Sequence, residues 1–237
     1  MFYAKIADIV VGIQHRYDFT KKISKDYILE NCEKADVFIE VTDDDIDEAC
    51  RISPQYTRES MESACIYSKL CKEIYKFNAF MFHGAAVKKN DDVFMFMAAS
   101  GVGKTTHARL WKKVFGDDCH IINGDKPIIR FIDGKYYVYG TPWSGKEGIN
   151  INTRGVLKGI CFIEQSPRNS ITKAEPKDII PKLFVQTIVP KEPERLQMFM
   201  KFADGLIKNT NFYVLKCNIS DDAVYTSWEG MTKECVE

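Results

Sequence analysis

The run Phe94-Met95-Phe96-Met97-Ala98-Ala99-Ser100-Gly101-Val102-Gly103-Lys104-Thr105-Thr106 constrains the chain more than any other segment. Its apolar half is the length of a buried strand. Two glycines one residue apart then permit backbone conformations that are closed to residues with a side chain. The following His-Ala-Arg-Leu-Trp-Lys-Lys-Val-Phe is compatible with a helix. Strand, glycine turn and helix in that order aim successive backbone N–H groups, and the positive end of a helix dipole, at one point. That is an anion site, and Lys104 adds a full charge to it.

The arrangement matches the phosphate-binding pattern G-x-x-x-x-G-K-[ST], with Ala98 in the first glycine place. Alanine serves there where φ is negative. The match assigns Ser100, Gly101, Val102, Gly103, Lys104, Thr105 and Thr106 to the phosphates of ATP or another nucleoside triphosphate. Lys104 would reach the β- and γ-phosphates, and the Thr105 hydroxyl would bind Mg²⁺.

The rest of the chain sets the frame. With 237 residues, 45% of them hydrophobic, it is long enough for one sizeable core or a main domain with an appendage. Lys plus Arg and Asp plus Glu number 33 each, so net charge is zero and gives no electrostatic footprint for nucleic acid. The longest apolar run, 93–99, is far shorter than the roughly 20 residues of a membrane helix. The N-terminus lacks the charged start, apolar block and cleavage site of a secretory signal. The eight cysteines are scattered with no CxxC, which reads as reduced thiols in a cytoplasmic protein. His120 beside Cys119 has no second Cys/His pair at zinc spacing. The expected partners are a nucleoside triphosphate and an unknown protein, peptide or small-molecule acceptor, with neither nucleic acid nor membrane.

Residues 1–78 read as a small N-terminal α+β subdomain, with strands at 2–11 and 35–41, a polar stretch at 20–33, an acidic turn or helix start at 43–47, and an amphipathic helix at 58–77. Residues 79–237 read as the nucleotide-binding domain. Strands are expected at 79–88, 93–98, 119–122, 156–164 and 213–217, helices from the glycine turn to about 115, at 176–189 and at 192–209, and a hairpin around Asp133-Gly134. Strand–helix alternation with an inserted hairpin predicts an α/β fold with a mixed β-sheet. The strand at 119–122 is expected beside the strand of the glycine turn.

The Ser-Gly-x-Gly-Lys-Thr-Thr loop resembles that of HPr kinase/phosphorylase and of ATP-dependent phosphoenolpyruvate carboxykinase, which share a nucleotide-binding core. Phe82-His83-Gly84-Ala85-Ala86-Val87 resembles the His-Gly strand that precedes the loop in HPr kinase, and His83 lies 21 residues before Lys104. Ile121-Ile122-Asn123-Gly124-Asp125 resembles the strand ending in that family's acidic pair, its metal and general-base motif. Gly140-Thr141-Pro142-Trp143-Ser144-Gly145-Lys146 is similar to the Pro-Trp segment of HPr-kinase-like proteins encoded beside peptide-modification genes. The likeness spans residues 79–165. It implies an HPr kinase/phosphoenolpyruvate carboxykinase-like core, ATP and Mg²⁺ as cofactors, Thr105 and Asp125 at the metal, and His83 at the γ-phosphate or acceptor.

One departure matters. Where the family has two adjacent acids, this chain has Gly124-Asp125-Lys126. Either Asp125 takes the first place and Lys126 stands for the metal-side acid, or Asp125 takes the second and the general base is missing. The apolar pair before the motif favours the first.

Asp125, His83 and Arg154 are the catalytic candidates. Asp125 would hold metal or take a hydroxyl proton. Arg154, just before the 156–164 strand, would neutralise charge. Lys126, Lys146 and Trp143 stand open between ligand contact and structure. His107, beside Leu110 and Trp111, reads as structural. The resulting function is ATP-dependent phosphoryl transfer to a hydroxyl, such as Ser of a peptide or small protein. The alternatives are a non-catalytic nucleotide-binding module or switch, and a carboxykinase-like lyase.

Overall fold

The computed structural model describes residues 1–232. Cys235 lies outside them; the seven described cysteines are free thiols. The chain divides into two compact units, Met1–Ala79 and a second from Phe80 on.

In the first unit, strands β1 (Phe2–Ile6), β2 (Ile9–Ile13), β3 (Ile28–Leu29) and β4 (Val37–Ile39) form a sheet of order β3-β1-β2-β4, accompanied by helices α1 (Asp18–Ile23), α2 (Asp43–Ile52) and α3 (Arg58–Glu73). The expected single strand at 2–11 is two strands of a hairpin. Ala7 and Asp8 turn it with φ of 52° and 58°, the left-handed pair that such turns normally fill with Asn and Gly. The acidic run resolves into the first turn of α2, where Thr42 and Asp45 cap each other's backbone. The polar stretch covers the end of α1, a 3₁₀ turn at Lys25–Tyr27 and β3.

Glu62, on α3, is fully buried. Its carboxylate accepts from the backbone N–H groups of Arg16, at 2.5 Å, and Tyr17, at 3.0 Å. These groups lead into α1, which has no side-chain cap of its own. A carboxylate without partners would not survive such burial, so α1 and α3 are fixed together by this contact.

The second unit carries β5 (Ala79–Met81), β6 (Ala85–Lys89), β7 (Asp92–Met97), α4 (Lys104–Phe115), β8 (Cys119–Asn123), β9 (Ile128–Ile132), β10 (Lys135–Tyr139), β11 (Arg154–Gln165), β12 (Ser170–Lys173), α5 (Pro176–Phe184), α6 (Pro193–Asn209), β13 (Asn211–Cys217) and α7 (Asp221–Thr232). The strands form one mixed sheet of order β5-β9-β10-β11-β7-β6-β8, with β13 parallel on β11 and β12 on β13. The fold is mixed α/β. β7 is apolar beyond its first residue because both its faces are covered. Phe94 and Phe96 meet Trp111 of α4 at ring distances of 5.2 and 5.4 Å, and Trp228 of α7 closes the same cluster. On the other side Phe80 packs on Phe199 and Phe202 of α6. The hairpin between β9 and β10 turns at Asp133 and Gly134 with φ of 48° and 79°.

Two expectations fail here. The strand at 79–88 is broken at residues 82–84, and β8 pairs with β6 rather than with β7. β6 is antiparallel to both neighbours, so β7 and β8 still run the same way and end at the same edge of the sheet. No described helix is long and apolar enough to cross a membrane.

Replacing Glu62 with Ala should destabilise the chain by about 2–3 kcal/mol, since two buried donors lose a charged acceptor. Urea unfolding followed by circular dichroism measures this; an unchanged midpoint would refute the anchoring role.

Candidate functional site

β7 ends at Met97, and the chain crosses residues 98–103 before α4 begins at Lys104. Gly101 and Gly103 have φ of +82° and +121°. A Cβ at either would meet nothing within 4 Å, so glycine is required by backbone conformation rather than by space. α4 has no side-chain N-cap. Among the described residues the backbone N–H groups of Gly101, Gly103, Lys104, Thr105 and Thr106 have no hydrogen-bond partner. These donors cluster at the positive end of a twelve-residue helix.

Lys104 is only 6% exposed. Its Nζ donates to Ala98 O at 3.0 Å and Ala99 O at 3.4 Å, so it curls back over the loop. Burial pushes its pKa down, Asp125 pulls it up, and Lys126 lowers it further. The Thr105 hydroxyl donates to Gly124 O at 3.3 Å, which ties α4 to the end of β8. Ser100 and Thr106 are exposed at the loop surface, and Val102 is half-buried.

The broken strand explains His83. The backbone N–H groups of the break bond outside the strand ladder: Phe82 N to Pro127 O, His83 N to Gln186 O at 2.6 Å, and Gly84 N to Asp125 O at 2.9 Å. The His83 imidazole is half-buried at the break. Its Nδ1 lies 3.1 Å from Gln186 Oε1, and its Nε2 lies 3.1 Å from Asp125 Oδ1. The other Asp125 oxygen is paired with Lys126 Nζ. Burial pushes the Asp125 carboxyl up, but the hydrogen bonds and charges of His83 and Lys126 outweigh it and bring the pKa down to about 2. Asp125 also abuts Gly145, where a Cβ would come within 3.0 Å of the carboxylate side chain.

The turn that presents Asp125 is built by Asn123, to which the sequence motif assigns no role. Its fully buried side chain accepts from Asp125 N at 2.8 Å and Lys126 N at 2.7 Å. The amide nitrogen donates to Thr141 O and Thr141 Oγ1, both at 3.1 Å, and to Trp143 O at 3.3 Å. The residues do carry the signal: an Asn two residues before an acid commonly holds a turn through its side chain.

The loop, His83, Asp125 and Lys126 therefore share one end of the sheet. Arg154 does not join them, which corrects its reading as a charge-neutralising residue. It opens β11, which runs parallel to β7, and so sits at the opposite end. From Arg154 to Phe162, the partner of Met97, the strand spans about 26 Å. Its guanidinium instead donates to Tyr139 Oη at 2.7 Å and lies over the Tyr137 ring. Lys146 is exposed in the turn after Gly145, and Trp143 is buried. His107 is buried, with its pKa pushed down to about 4 by desolvation, and it packs in a Trp111–Ser227 hydrogen-bond cluster.

Thr105 and Asp125 are the hard oxygen donors here. No group of three or more His, Cys, Asp or Glu gathers among the described residues. Such a sparse set suits a Mg²⁺ ion that takes most of its ligands from phosphate and water, and does not suit a caged metal.

Two crevices flank the loop. One, of about 400 Å³, borders Ala98, Ala99, Lys182 and Gln186. The other, of about 630 Å³, borders Gly103, Thr106 and Leu110.

No family model matches the chain, and no curated protein matches it. Among solved structures it is similar to the HPr(Ser) kinase/phosphatase from Coxiella burnetii, at 9% identity, over 54% of this chain and 88% of that one, with a TM-score of 0.30. A likeness this weak supports no residue role, so the roles of Lys104, Thr105, His83 and Asp125 rest on their geometry.

The depressed Asp125 pKa has a consequence for stability. A carboxyl ionising at about 2 in the fold and near 4 when unfolded adds stability that is complete above about pH 4 and lost as pH falls toward 2. Chemical denaturation across that range should show Asp125→Asn losing less stability on acidification than the parent. Parallel curves would remove the His83–Asp125–Lys126 cluster as a folded-state contact.

Proposed function

We propose that the chain binds a nucleoside triphosphate in the 98–106 loop and transfers its terminal phosphate to a hydroxyl, as an HPr-kinase-like phosphotransferase. The observation that carries this reading is the row of unpartnered backbone donors at the start of α4, with Lys104 over them and one carboxylate nearby. Neutral N–H groups held by a rigid helix bind phosphate oxygens without reorganisation. Lys104 would exchange two carbonyl partners for the β- and γ-phosphates. Thr105 and Asp125 would hold Mg²⁺, which would offset phosphate charge.

Asp125 and His83 stand where the terminal phosphate would meet its acceptor. The 400 Å³ crevice on that side is the entry for the hydroxyl, because Gln186 lines it and also bonds His83. The acceptor is a peptide, protein or small molecule bearing that hydroxyl, such as Ser. A second reading, a triphosphate-binding switch without phosphoryl transfer, is favoured by one observation: both Asp125 oxygens already face cationic or donor partners. A carboxylate so paired is a poor base unless the acceptor or metal displaces Lys126.

Titration calorimetry with ATP and Mg²⁺ tests the binding. Lys104→Ala should weaken affinity on the order of 100-fold while the fold is retained, because a desolvated charge partner is lost. Equal affinity in a folded variant would dismiss the loop assignment.

Turnover separates the two readings. With labelled ATP, Asp125→Asn should lower kcat by about 10²-fold and leave nucleotide affinity nearly unchanged, since its contribution grows as charge develops. If the parent chain binds ATP but neither hydrolyses nor transfers it, the switch reading replaces the kinase reading.

A further inference from the structure

The two crevices beside the loop are not equivalent, and their difference assigns the orientation of the triphosphate. The 400 Å³ crevice touches Gln186, the partner of His83, and so borders the charged cluster. The 630 Å³ crevice contains none of His83, Asp125, Lys126 or Gln186. It adjoins the smaller one along Val102, Ile163 and Gln165 and extends away from the charged cluster past Gly103 and Thr106, between the first turns of α4 and the ends of β11 and β13.

We propose that this larger crevice is the nucleoside site, taking the ribose and a purine base; the proposal rests on the triphosphate reading above. If the terminal phosphate lies toward Asp125, the α-phosphate and sugar must leave the loop at its other end. Val102, Leu110, Ile163, Pro167 and Ile219 supply apolar walls of the kind that cover an aromatic ring. β7, β11 and β13 are parallel, so the crevice lies outside the carboxyl ends of parallel strands, where open α/β sheets bind ligands. Its lining includes His107, 3% exposed, whose Nδ1 has no hydrogen-bond partner among the described residues. Gln165 spans from the crevice to the loop, its Nε2 donating to Val102 O at 3.1 Å. Base occupancy is thereby linked to the loop that holds the phosphates.

The test compares two ligands with the same triphosphate chain, on the whole protein and by titration calorimetry: Mg-ATP and Mg-tripolyphosphate, the latter carrying one more negative charge, which by itself favours it at the loop. The parent should bind ATP about tenfold or more tightly than tripolyphosphate, because only ATP fills the apolar crevice. Ile219 is 79% exposed, so Ile219→Glu leaves the core intact while placing a charge on the crevice wall. That variant, and Leu110→Ala, should remove most of the ATP advantage and leave tripolyphosphate affinity unchanged. Equal affinity for both ligands in the parent overturns the nucleoside site while sparing the phosphate loop. An ATP advantage that survives both substitutions overturns it too, placing the base elsewhere. Binding of neither ligand brings down the triphosphate reading, and the crevice assignment with it.

Discussion

Asn123 uses both ends of its side-chain amide on backbone groups, and the charged end of the sheet depends on that. Its oxygen gathers the N–H groups of Asp125 and Lys126, while its nitrogen reaches the carbonyls of Thr141 and Trp143. The Thr141 hydroxyl in turn donates to Lys126 O at 2.8 Å. Two segments that are 18 residues apart are thus locked by one buried residue. Such a group must be fully satisfied to be tolerated in the interior, and once satisfied it permits a single arrangement. The direction of Asp125 is therefore set from behind, independently of its own side-chain contacts.

Those contacts then set its chemistry. A carboxylate that is largely shielded from water would ordinarily rise in pKa. Here an imidazole on one oxygen and an ammonium on the other reverse the sign. Lys126 puts an ammonium beside the carboxylate at this end of the sheet, and Lys104 lies close enough to feel both charges. Positive charge beside a carboxylate lowers its affinity for a proton. The second oxygen of this carboxylate becomes free only when another group displaces Lys126.

Much of this is legible in the residues. The glycine pair, Lys104 and the helix after it announce the strand–loop–helix unit, because only glycine takes the φ values at 101 and 103 without strain. Asp133-Gly134 announces its hairpin for the same reason. What stays hidden has physical causes. The turn at Ala7-Asp8 uses left-handed residues that carry no glycine or asparagine signal. β12 is short and mostly exposed, so it has no apolar period. α7 escapes the pattern although Ser220 caps it and acids fill its first turn, since its buried positions include Ser227 and break the expected stripe. Arg154 is misleading because position beside a strand does not reveal which end of the sheet that strand begins at. The insertion of β6 between β7 and β8 is likewise a pairing decision, invisible to local patterns.

Lys104 is held by the same turn that leaves the donor row at the start of α4 open. Folded over Ala98 and Ala99, its ammonium satisfies two carbonyls that the sharp turn leaves without strand partners. Burial works against its charge, and only Asp125 opposes that effect. A polyanion arriving at the unpartnered N–H row would be a stronger partner for the ammonium than two neutral carbonyls. The exchange would leave Ala99 O with its second donor, Val102 N at 3.3 Å, and would free Ala98 O, whose residue is 7% exposed. Under the proposed function, binding would be a swap of partners within a loop whose glycines already hold it open, rather than the folding of a disordered segment. The ordering entropy has been met by the strand, the helix and the aromatic cluster beneath them, so the energy of any phosphate contact would remain available for affinity.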